Sequence, residues 1–366
     1  MTIRPILSIA GGGTGGHVMP ALALADAARQ AWPELKVQFI GAERGLEATL
    51  LPEKGEEILL LSMHSIQGAG LAQKLRVLLW ELPRSVWQVR SYWKSEPPHL
   101  VVGVGGYASV TGVLAALVSR IPVVLYEQNA VPGMVNRKLS RFCRKIMLGF
   151  AEAAHLLPDE KSVITGNVVR ENIAAIKWQP HIPPRLLILG GSQGAAFLNS
   201  NIPAACRLLK AKGLEFEVTH IAGQDATGSV STAYREASIN ADVLGFCNEM
   251  PEFYASGDML VARSGAMTVG EAAICGMPAI FIPLPHAADN HQYYNARAMS
   301  EHDAAVIIEQ KHASIAALAD EIEKMLFDSH RLSAMSRAGR AWATTDARVR
   351  QLKVISSYLP LSEVNA

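Results

Sequence analysis

Cysteine is scarce in this chain: there are four among 366 residues, widely separated and without a Cys-x-x-Cys pair. This spacing excludes a zinc ribbon and a disulfide scaffold, and it favours a reducing compartment. The longest uncharged stretch, residues 97–119, is interrupted by four glycines and does not predict a membrane-spanning helix. The first ten residues lack the apolar core of a secretory signal, so we expect none.

Charge is also sparse, at 18% of residues against about 25% in an average soluble protein. Its distribution is uneven, because residues 1–170 hold 18 Lys and Arg against 13 Asp and Glu, and residues 74–145 hold 11 against 3. A basic N-terminal half indicates an anionic ligand or surface there. Motifs that read nucleic acid, such as a helix-turn-helix or a zinc finger, are not found, so we expect no nucleic-acid partner.

Short apolar runs alternate with helical patterns, which is typical of α/β domains with parallel sheets. We predict strands at residues 6–10, 37–40, 100–104, 123–126, 145–148, 185–189, 217–221, 243–246, 259–262 and 279–282. The glycine-rich pattern that follows the first strand returns about half a chain later. This echo predicts two doubly wound, Rossmann-like domains that face each other across a cleft.

The domain boundaries follow from the same echo. We expect a first domain over residues 1–166 and a second over 167–339. A proline-rich stretch at 178–184 is interpreted as a linker. The last helix, about 331–356, could belong to either half, and residues 340–366 could pack back on the first domain.

Two strand-to-helix turns are rich in glycine, at residues 11–17 and 190–194. Glycine lets the backbone approach a ligand closely, and the N-terminus of the following helix attracts phosphate. Gly11, Gly13 and Gly16 also fit a dinucleotide fingerprint. The acidic residue expected about 20 residues later is missing, which argues against an NAD(P) dehydrogenase.

Seven motifs occur in order along the chain: GGTGGH (12–17), GGY (105–107), EQN (127–129), GNVVR (166–170), GGSQGA (190–195), RSGAMTVGE (263–271) and NHQYYNA (290–296). With them the chain resembles, over essentially its whole length, the MurG family of bacterial peptidoglycan GlcNAc transferases. The resemblance implies a GT-B fold and inverting transfer of GlcNAc from UDP-GlcNAc to the C4 hydroxyl of MurNAc. The acceptor would be undecaprenyl-diphosphate-MurNAc-pentapeptide (lipid I), and the product lipid II.

The resemblance also implies which residues bind the substrates. On the donor side these are Thr14, Gly15, Gly16, Asn129, Arg170, Ser192, Gln193, Phe246, Cys247, Gly265, Ala266, Met267, Thr268, Val269, Glu271 and Gln292. Arg170 and Ser192 would hold the diphosphate, and Glu271 the ribose hydroxyls. From the residues alone, Glu271 could equally be a first-turn carboxylate favoured by the helix dipole. Facing the acceptor diphosphate would be Gly105, Gly106 and Tyr107.

Two departures from the family pattern stand near the acceptor motifs. Tyr126 occupies a position where the family commonly has His, and Val110 and Thr111 replace a usual Gly-Pro. We expect these changes to alter the fine geometry on the acceptor side rather than the reaction.

An inverting transfer needs a base for the acceptor hydroxyl and stabilisation of departing UDP. His17 is the candidate base, since a helix N-terminus disfavours imidazolium and leaves a neutral ring. A positioning role is the alternative for His17, and Glu127 is the competing base. The other histidines considered are interpreted as structural or peripheral: His220, His286 and His291. The sequence holds no Asp-x-Asp pair, so we expect neither a metal nor a cofactor.

Residues 71–93 combine leucines, three tryptophans and the cations Lys74, Arg76, Arg84 and Arg90. Such a composition is typical of a surface that meets anionic lipid headgroups, although an amphipathic core helix can share it. With a lipid-linked acceptor, it predicts peripheral binding at the cytoplasmic face of the cell membrane. The alternatives are another GT-B enzyme, such as a UDP-GlcNAc 2-epimerase, and a non-catalytic nucleotide-sugar sensor.

Overall fold

The structure is a computed structural model that describes residues 4–62, 64, 70–191 and 194–361, without the side chains of residues 71, 72 and 74. The chain divides into two compact units. Unit 1 comprises Met1–Val168 and Asp346–Ala366, and unit 2 comprises Val169–Thr345. Among the described residues, no helix is long and apolar enough to cross a membrane.

Each unit is built on one parallel sheet. The strands of unit 1 are β1 (Ile6–Gly11), β2 (Lys36–Ala42), β3 (Ile58–Leu61), β4 (Leu100–Gly105), β5 (Val123–Glu127), β6 (Lys145–Leu148) and β7 (Ser162–Ile164). Those of unit 2 are β8 (Arg185–Leu189), β9 (Glu217–Ile221), β10 (Ala241–Leu244), β11 (Met259–Ala262), β12 (Ala279–Phe281) and β13 (Ala305–Ile307). The strand orders are β3-β2-β1-β4-β5-β6-β7 and β10-β9-β8-β11-β12-β13. Both sheets are therefore doubly wound, as the sequence predicts.

Helices follow most of the strands. In unit 1 they are α1 (Gly15–Ala31), α2 (Glu47–Glu53), α3 (Leu71–Arg76), α4 (Leu82–Tyr92), α5 (Tyr107–Val118) and α6 (Met134–Leu139), with a π-helical turn at Val77–Glu81. Next along the chain, in unit 2, are α7 (Glu171–Ala174), α8 (Ala196–Ala211), α9 (Thr227–Glu236), α10 (Met250–Ala255), α11 (Ala266–Cys275), α12 (His291–Ser300), α13 (Ile315–Leu326) and α14 (Ser329–Trp342). The chain then returns to unit 1 with α15 (Ala347–Ser356).

The central strands are apolar because both faces of each sheet are covered. In β4, every residue is buried. Leu100, Val102 and Val104 belong to the core that includes residues of α1 and α15. Val101, which points the other way, packs with residues of α4 and α5. A strand with two buried faces has an unbroken run of apolar residues, and this run is the signal that predicts such strands from the sequence.

Three strands were missed by the sequence analysis, namely β3, β7 and β13, and all three lie at sheet edges. The fourth edge strand, β10, was predicted at residues 243–246 and lies two residues earlier. Edge strands are short and covered less, so their sequences carry a weaker apolar pattern. In β7, for example, no residue is fully buried.

The interpretation of residues 178–184 as a linker between domains is wrong. The units divide between Val168 and Val169, and the proline-rich stretch lies within unit 2. Asp258, 1% exposed, fixes this stretch by accepting hydrogen bonds from the backbone N–H groups of His181 (2.7 Å) and Arg185 (2.6 Å). Proline removes helical and strand periodicity, so an anchored segment and a flexible one look alike in sequence.

The C-terminal region contains two helices rather than one. The pattern at 331–356 is interrupted between α14, which ends unit 2, and α15, which belongs to unit 1. Ile355 and Leu359 are buried in the core of unit 1 with Leu7 and Tyr126. Gln351 is fully buried, and its side-chain amide donates to a carbonyl of the same unit. Residues 346–361 therefore complete the first core from the far end of the chain.

Candidate functional site

The glycine motifs lie where the strand order of each sheet reverses. In unit 1 the reversal falls between β1 and β4, which are followed by residues 11–17 and 105–107. In unit 2 it falls between β8 and β11, which are followed by residues 190–194 and 263–269. Ligands of open parallel sheets bind outside the carboxyl ends of the strands at such a reversal. The topology thus selects the same segments as the motifs.

The two glycine loops of unit 1 are in backbone contact. The Gly12 N–H donates to the Gly105 carbonyl at 3.3 Å. Both residues have a positive φ, 154° for Gly12 and 101° for Gly105, which side chains rarely allow. A Cβ added to Gly105 would lie 2.8 Å from His17 Nε2, so the missing side chain leaves room for the imidazole. Gly106 and Tyr107 continue this loop into α5, partly exposed.

His17 lies in the first turn of α1, whose N-cap is Thr14. Its Nδ1 is 3.1 Å from the Gly12 carbonyl oxygen. A carbonyl oxygen can only accept, so Nδ1 carries the proton in this hydrogen bond and Nε2 is the basic atom of the neutral ring. Thr14 and Gly16 are exposed and Gly15 is partly so, which leaves the N-terminus of α1 open to a ligand.

Glu47, the first residue of α2, was missed by the sequence analysis. Its side chain is fully buried, and its two carboxylate oxygens accept from the N–H groups of Gly13 (2.7 Å) and Ala42 (2.9 Å). An added Cβ would overlap this side chain at three glycines: Gly12, Gly41 and Gly45. The available signal was an acidic residue in the segment after a strand, following two glycines, Gly41 and Gly45.

Glu127 lies at the end of β5, and its carboxylate is occupied by its own loop. One oxygen accepts from the Asn129 backbone N–H (3.0 Å) and side-chain amide (3.3 Å). The other accepts from the Gly133 N–H (2.9 Å) and the Asn136 amide (2.8 Å). With 2% of the residue exposed, this carboxylate orders residues 127–136 and holds Asn129 in place.

In unit 2 the structure brings together residues from separate segments of the chain, two of which are motifs. Arg170 precedes α7, which packs against α10 and α11. Its positive charge acts on both Glu271 and the Cys247 thiol. The buried Tyr254 hydroxyl donates to Glu271 at 3.0 Å. Desolvation nevertheless raises the pKa of the Glu271 carboxyl above its ordinary value, against the opposing effects of Tyr254 and Arg170.

The N-terminus of α11 divides the segment 265–269 into two groups. Ala266 and Val269 are buried, whereas Gly265, Met267 and Thr268 are partly exposed. The Val269 N–H donates to the Gly265 carbonyl at 3.0 Å, so it is used within the helix. The N–H groups before it have no acceptor inside an α-helix and point towards whatever lies beyond its end.

Two further donor-side predictions lie in unit 2, Phe246 on a loop and Gln292 in α12. Phe246 follows β10 and is 55% exposed. The Gln292 side-chain oxygen accepts from the Leu284 N–H at 3.0 Å, which leaves its NH₂ group as the donor. Ser192 and Gln193 lie outside the described residues.

The apolar patch, defined as the exposed residues Leu75, Leu78, Leu79, Trp80 and Trp87, lies on α3, the π-helical turn and α4. Trp80 is 76% exposed and Trp87 66%. The third tryptophan of residues 71–93, Trp93, is only 3% exposed and packs in the core with Val89, so it is not part of this surface. Exposed cations accompany the patch: Arg76, Arg84 and Arg90.

Comparison with known proteins gives the family. Residues 7–148 match the N-terminal domain of glycosyltransferase family 28, and residues 185–350 its C-terminal domain. A UDP-N-acetylglucosamine--N-acetylmuramyl-(pentapeptide) pyrophosphoryl-undecaprenol N-acetylglucosamine transferase from Syntrophotalea carbinolica is 38% identical over 95% of this chain and 97% of its own length. This chain belongs to the MurG family. It is therefore a glycosyltransferase, as the seven motifs predict.

Solved structures agree with this assignment. The crystal structure of Acinetobacter baumannii MurG is 29% identical, with a TM-score of 0.79 over 96% of this chain and 99% of that one. A putative UDP-N-acetylglucosamine 2-epimerase from Listeria monocytogenes has a TM-score of 0.67 over 97% and 96% of the two chains, at 14% identity. The second likeness shows the shared GT-B fold alone. The MurG family, and not the epimerases, accounts for the sequence.

The residues expected to depart from the family pattern, Tyr126, Val110 and Thr111, belong to unit 1. Tyr126 is fully buried, and its hydroxyl donates to the Asn167 side chain at 2.9 Å. Asn167 in turn donates to the Gln128 carbonyl at 2.9 Å. Thr111 is fully buried in α5. Tyr126 and Thr111 thus act through packing, and neither side chain lies on the surface of a glycine loop.

His220 has a structural environment, in keeping with its interpretation. It is fully buried on β9, with its ring nitrogens 3.0 Å from the Tyr234 hydroxyl and 3.1 Å from the Asn199 side-chain oxygen. Desolvation lowers the pKa of His220 to about 3. The folded protein therefore keeps this ring neutral well below the ordinary histidine range.

Stability is expected to fall below pH 6.5, because the unfolded chain then binds a proton at His220 that the folded protein excludes. Between pH 7 and pH 5 this residue should cost about 2 kcal/mol of unfolding free energy. Urea unfolding at both pH values measures the loss, and His220→Gln should lose about 2 kcal/mol less than the parent. An equal loss in both proteins would contradict the assignment.

Proposed function

We propose that this protein transfers GlcNAc from UDP-GlcNAc to the C4 hydroxyl of MurNAc in lipid I, producing lipid II for cell-wall synthesis during growth and division. The observation that carries the proposal is the pair of glycine loops that enclose His17 in a chain of the MurG family. The relative from Syntrophotalea carbinolica is named for this substrate pair. A glycosyl transfer to a hydroxyl needs a base within reach of that hydroxyl, and His17 is proposed to be that base.

The donor is proposed to bind through unit 2. Arg170 and Ser192, with Gln193 beside them, hold the diphosphate together with the N-terminus of α11, as helix N-termini do for other phosphates. Glu271 accepts hydrogen bonds from the ribose hydroxyls; burial raises the pKa of its carboxyl, and Tyr254 and Arg170 act in the opposite direction. The remaining contacts follow the motifs: Phe246 and the Cys247 backbone on uracil, residues 265–269 along the phosphates, and Gln292 near the sugar.

The reacting groups are proposed to meet at unit 1. The acceptor diphosphate lies against Gly105, Gly106 and Tyr107, while Thr14 to Gly16 and Asn129 border the GlcNAc. His17 Nε2 takes the proton of the C4 hydroxyl as its oxygen bonds to C1 of GlcNAc. The C1–oxygen bond to UDP breaks on the opposite face, and its electron pair leaves with UDP. The four donors on Glu127 favour His17 over Glu127 as the base.

The leaving group is proposed to depart without a metal ion. Many nucleotide-sugar transferases hold the diphosphate with a metal on an Asp-x-Asp pair, and this sequence has none. The charge that develops on UDP is instead met by Arg170 and by backbone N–H groups fixed in advance at a helix N-terminus. No cofactor is required for this chemistry.

UDP release from UDP-GlcNAc, with and without a short-chain lipid I analogue and in the presence of EDTA, tests the function. We expect release that depends on the acceptor and survives chelation, because protein groups alone stabilise the leaving charge. Tight UDP binding without release would instead identify a nucleotide-sugar sensor. Release only after metal is added would overturn the metal-independent mechanism and keep the function.

His17→Ala is expected to lower kcat by about 10²–10⁴-fold, the range that a general base contributes. UDP affinity should stay nearly unchanged, since the proposed contacts to UDP itself lie in unit 2. Steady-state kinetics and UDP titration measure the two effects. His155→Ala removes an exposed histidine of the same unit and serves as the control. Equal losses of kcat and UDP affinity would reject the base assignment.

The apolar patch is proposed to bind the cytoplasmic face of the cell membrane. A lipid-linked acceptor remains in the bilayer, so the enzyme has to reach its headgroup at the surface. Exposed leucines and tryptophans enter the interface, and Arg76, Arg84 and Arg90 attract anionic headgroups. The protein is then peripheral.

Replacing Leu78, Leu79 and Trp80 together by Ser is expected to weaken binding to anionic vesicles by more than about tenfold. Activity on a short-chain, water-soluble acceptor should be retained, because that substrate needs no bilayer. The matched control replaces three other exposed apolar residues of unit 1 by Ser: Leu156, Ile164 and Val349. Vesicle co-sedimentation decides the point, and unchanged binding of the first variant would exclude the patch.

A further inference from the structure

The peptide unit between Gly12 and Gly13 is hydrogen-bonded at both ends. Its N–H, which belongs to Gly13, donates to Glu47 at 2.7 Å. Its carbonyl, which belongs to Gly12, accepts from His17 Nδ1 at 3.1 Å. Hydrogen bonds in a chain polarise one another, so a negative charge at the N–H end makes the carbonyl a stronger acceptor. A buried carboxylate is thus connected to the imidazole through a single peptide.

The surroundings of Glu47 are shaped to keep that carboxylate in place. Burying an ionised group is costly unless hydrogen bonds compensate, and Glu47 receives two from the backbone. The side chain of Glu47 occupies space that a Cβ would fill at three glycines, Gly12, Gly41 and Gly45. An apolar residue could fill such a space without needing donors. The presence of a carboxyl group here therefore points to a role beyond packing.

We propose that Glu47 is a positioning residue for His17, acting through the Gly12–Gly13 peptide. The carboxylate polarises this peptide, fixes Nδ1 as the protonated nitrogen of His17, and stabilises the positive charge that the ring gains in the reaction. The arrangement matches a carboxylate–histidine pair with one peptide inserted between the two groups. The inference rests on the proposed function, in which His17 is the base.

Each proton in the proposed reaction has a defined place. The C4 hydroxyl proton moves to His17 Nε2, and the Nδ1 proton stays on the ring. Glu47 takes no proton in this step, because the peptide transmits polarisation only. The proton on Nε2 is later released to solvent.

The first test measures the ring itself. In protein labelled with ¹⁵N-histidine, the His17 signals are assigned by their loss in His17→Ala. We expect the parent ring to be protonated at Nδ1, and Glu47→Gln to shift the population towards the Nε2-protonated form. The Gln amide has one accepting oxygen, so at least one of the two backbone hydrogen bonds is lost. An unchanged tautomer would overturn the proposal whatever the activity.

The second test is a double-mutant cycle in kcat. Glu47→Gln should lower kcat at least about tenfold, part of the range for a general base, and leave KM for UDP-GlcNAc unchanged. In the His17→Ala background the same substitution should cause little further loss, because its effect passes through the imidazole. Equal losses in both backgrounds would show that Glu47 only shapes the loop, and would overturn the proposal.

Failure of the base assignment remains distinguishable from failure of this inference. Full activity of His17→Ala would reject His17 as the base, while the tautomer measurement would still decide whether Glu47 controls the ring. Asp258→Asn is the control, since it alters another buried carboxylate held by two backbone N–H groups, in unit 2. It should lower stability and keep kcat. If Glu47→Gln does not fold, Glu47→Asp, which shortens the reach to Gly13, is measured with the same direction expected.

Discussion

The hydrogen bond from the Gly12 N–H to the Gly105 carbonyl sets the geometry on which the rest of unit 1 depends. Two loops that leave adjacent parallel strands come this close only where neither carries a side chain at the contact. The imidazole of His17 occupies the space beside Gly105 that a Cβ would take. The covered sheet and the proposed base therefore share one requirement, which is bare backbone at the ends of β1 and β4.

Buried carboxylates have different surroundings in the two units. In unit 1 the buried carboxylates Glu47 and Glu127 are satisfied by N–H donors and order the loops around them. In unit 2 the partly buried Glu271 has a raised pKa and lies within the influence of Arg170 and the Tyr254 hydroxyl. A carboxylate whose oxygens already accept several hydrogen bonds, such as Glu127, is suited to a structural role. Glu271 can still accept hydrogen bonds from a ligand. The same residue type thus orders loops in unit 1 and is suited to ligand recognition in unit 2.

Most of the fold and the location of the glycine loops can be predicted from the sequence, because both depend on local patterns. Buried strands such as β4 show continuous apolar runs, and glycine clusters mark where backbone must approach backbone. Edge strands such as β7 were missed because half-exposed residues show no such run. Asp258 anchors residues 178–184, and Glu47 contacts Gly13. Both hydrogen bonds join residues far apart in sequence, and no local pattern encodes such a long-range contact.

The division of the chain has a consequence for its synthesis. Unit 2 is continuous, whereas the core of unit 1 takes Ile355 and Leu359 from beyond it. Domains fold as they leave the ribosome, N-terminal segments first. In this protein the N-terminal residues of unit 1 cannot complete their core until the last residues of the chain have been synthesised. Unit 2 can close its core while unit 1 still exposes the side of its sheet that α15 will cover, so this surface needs protection until translation has passed Leu359.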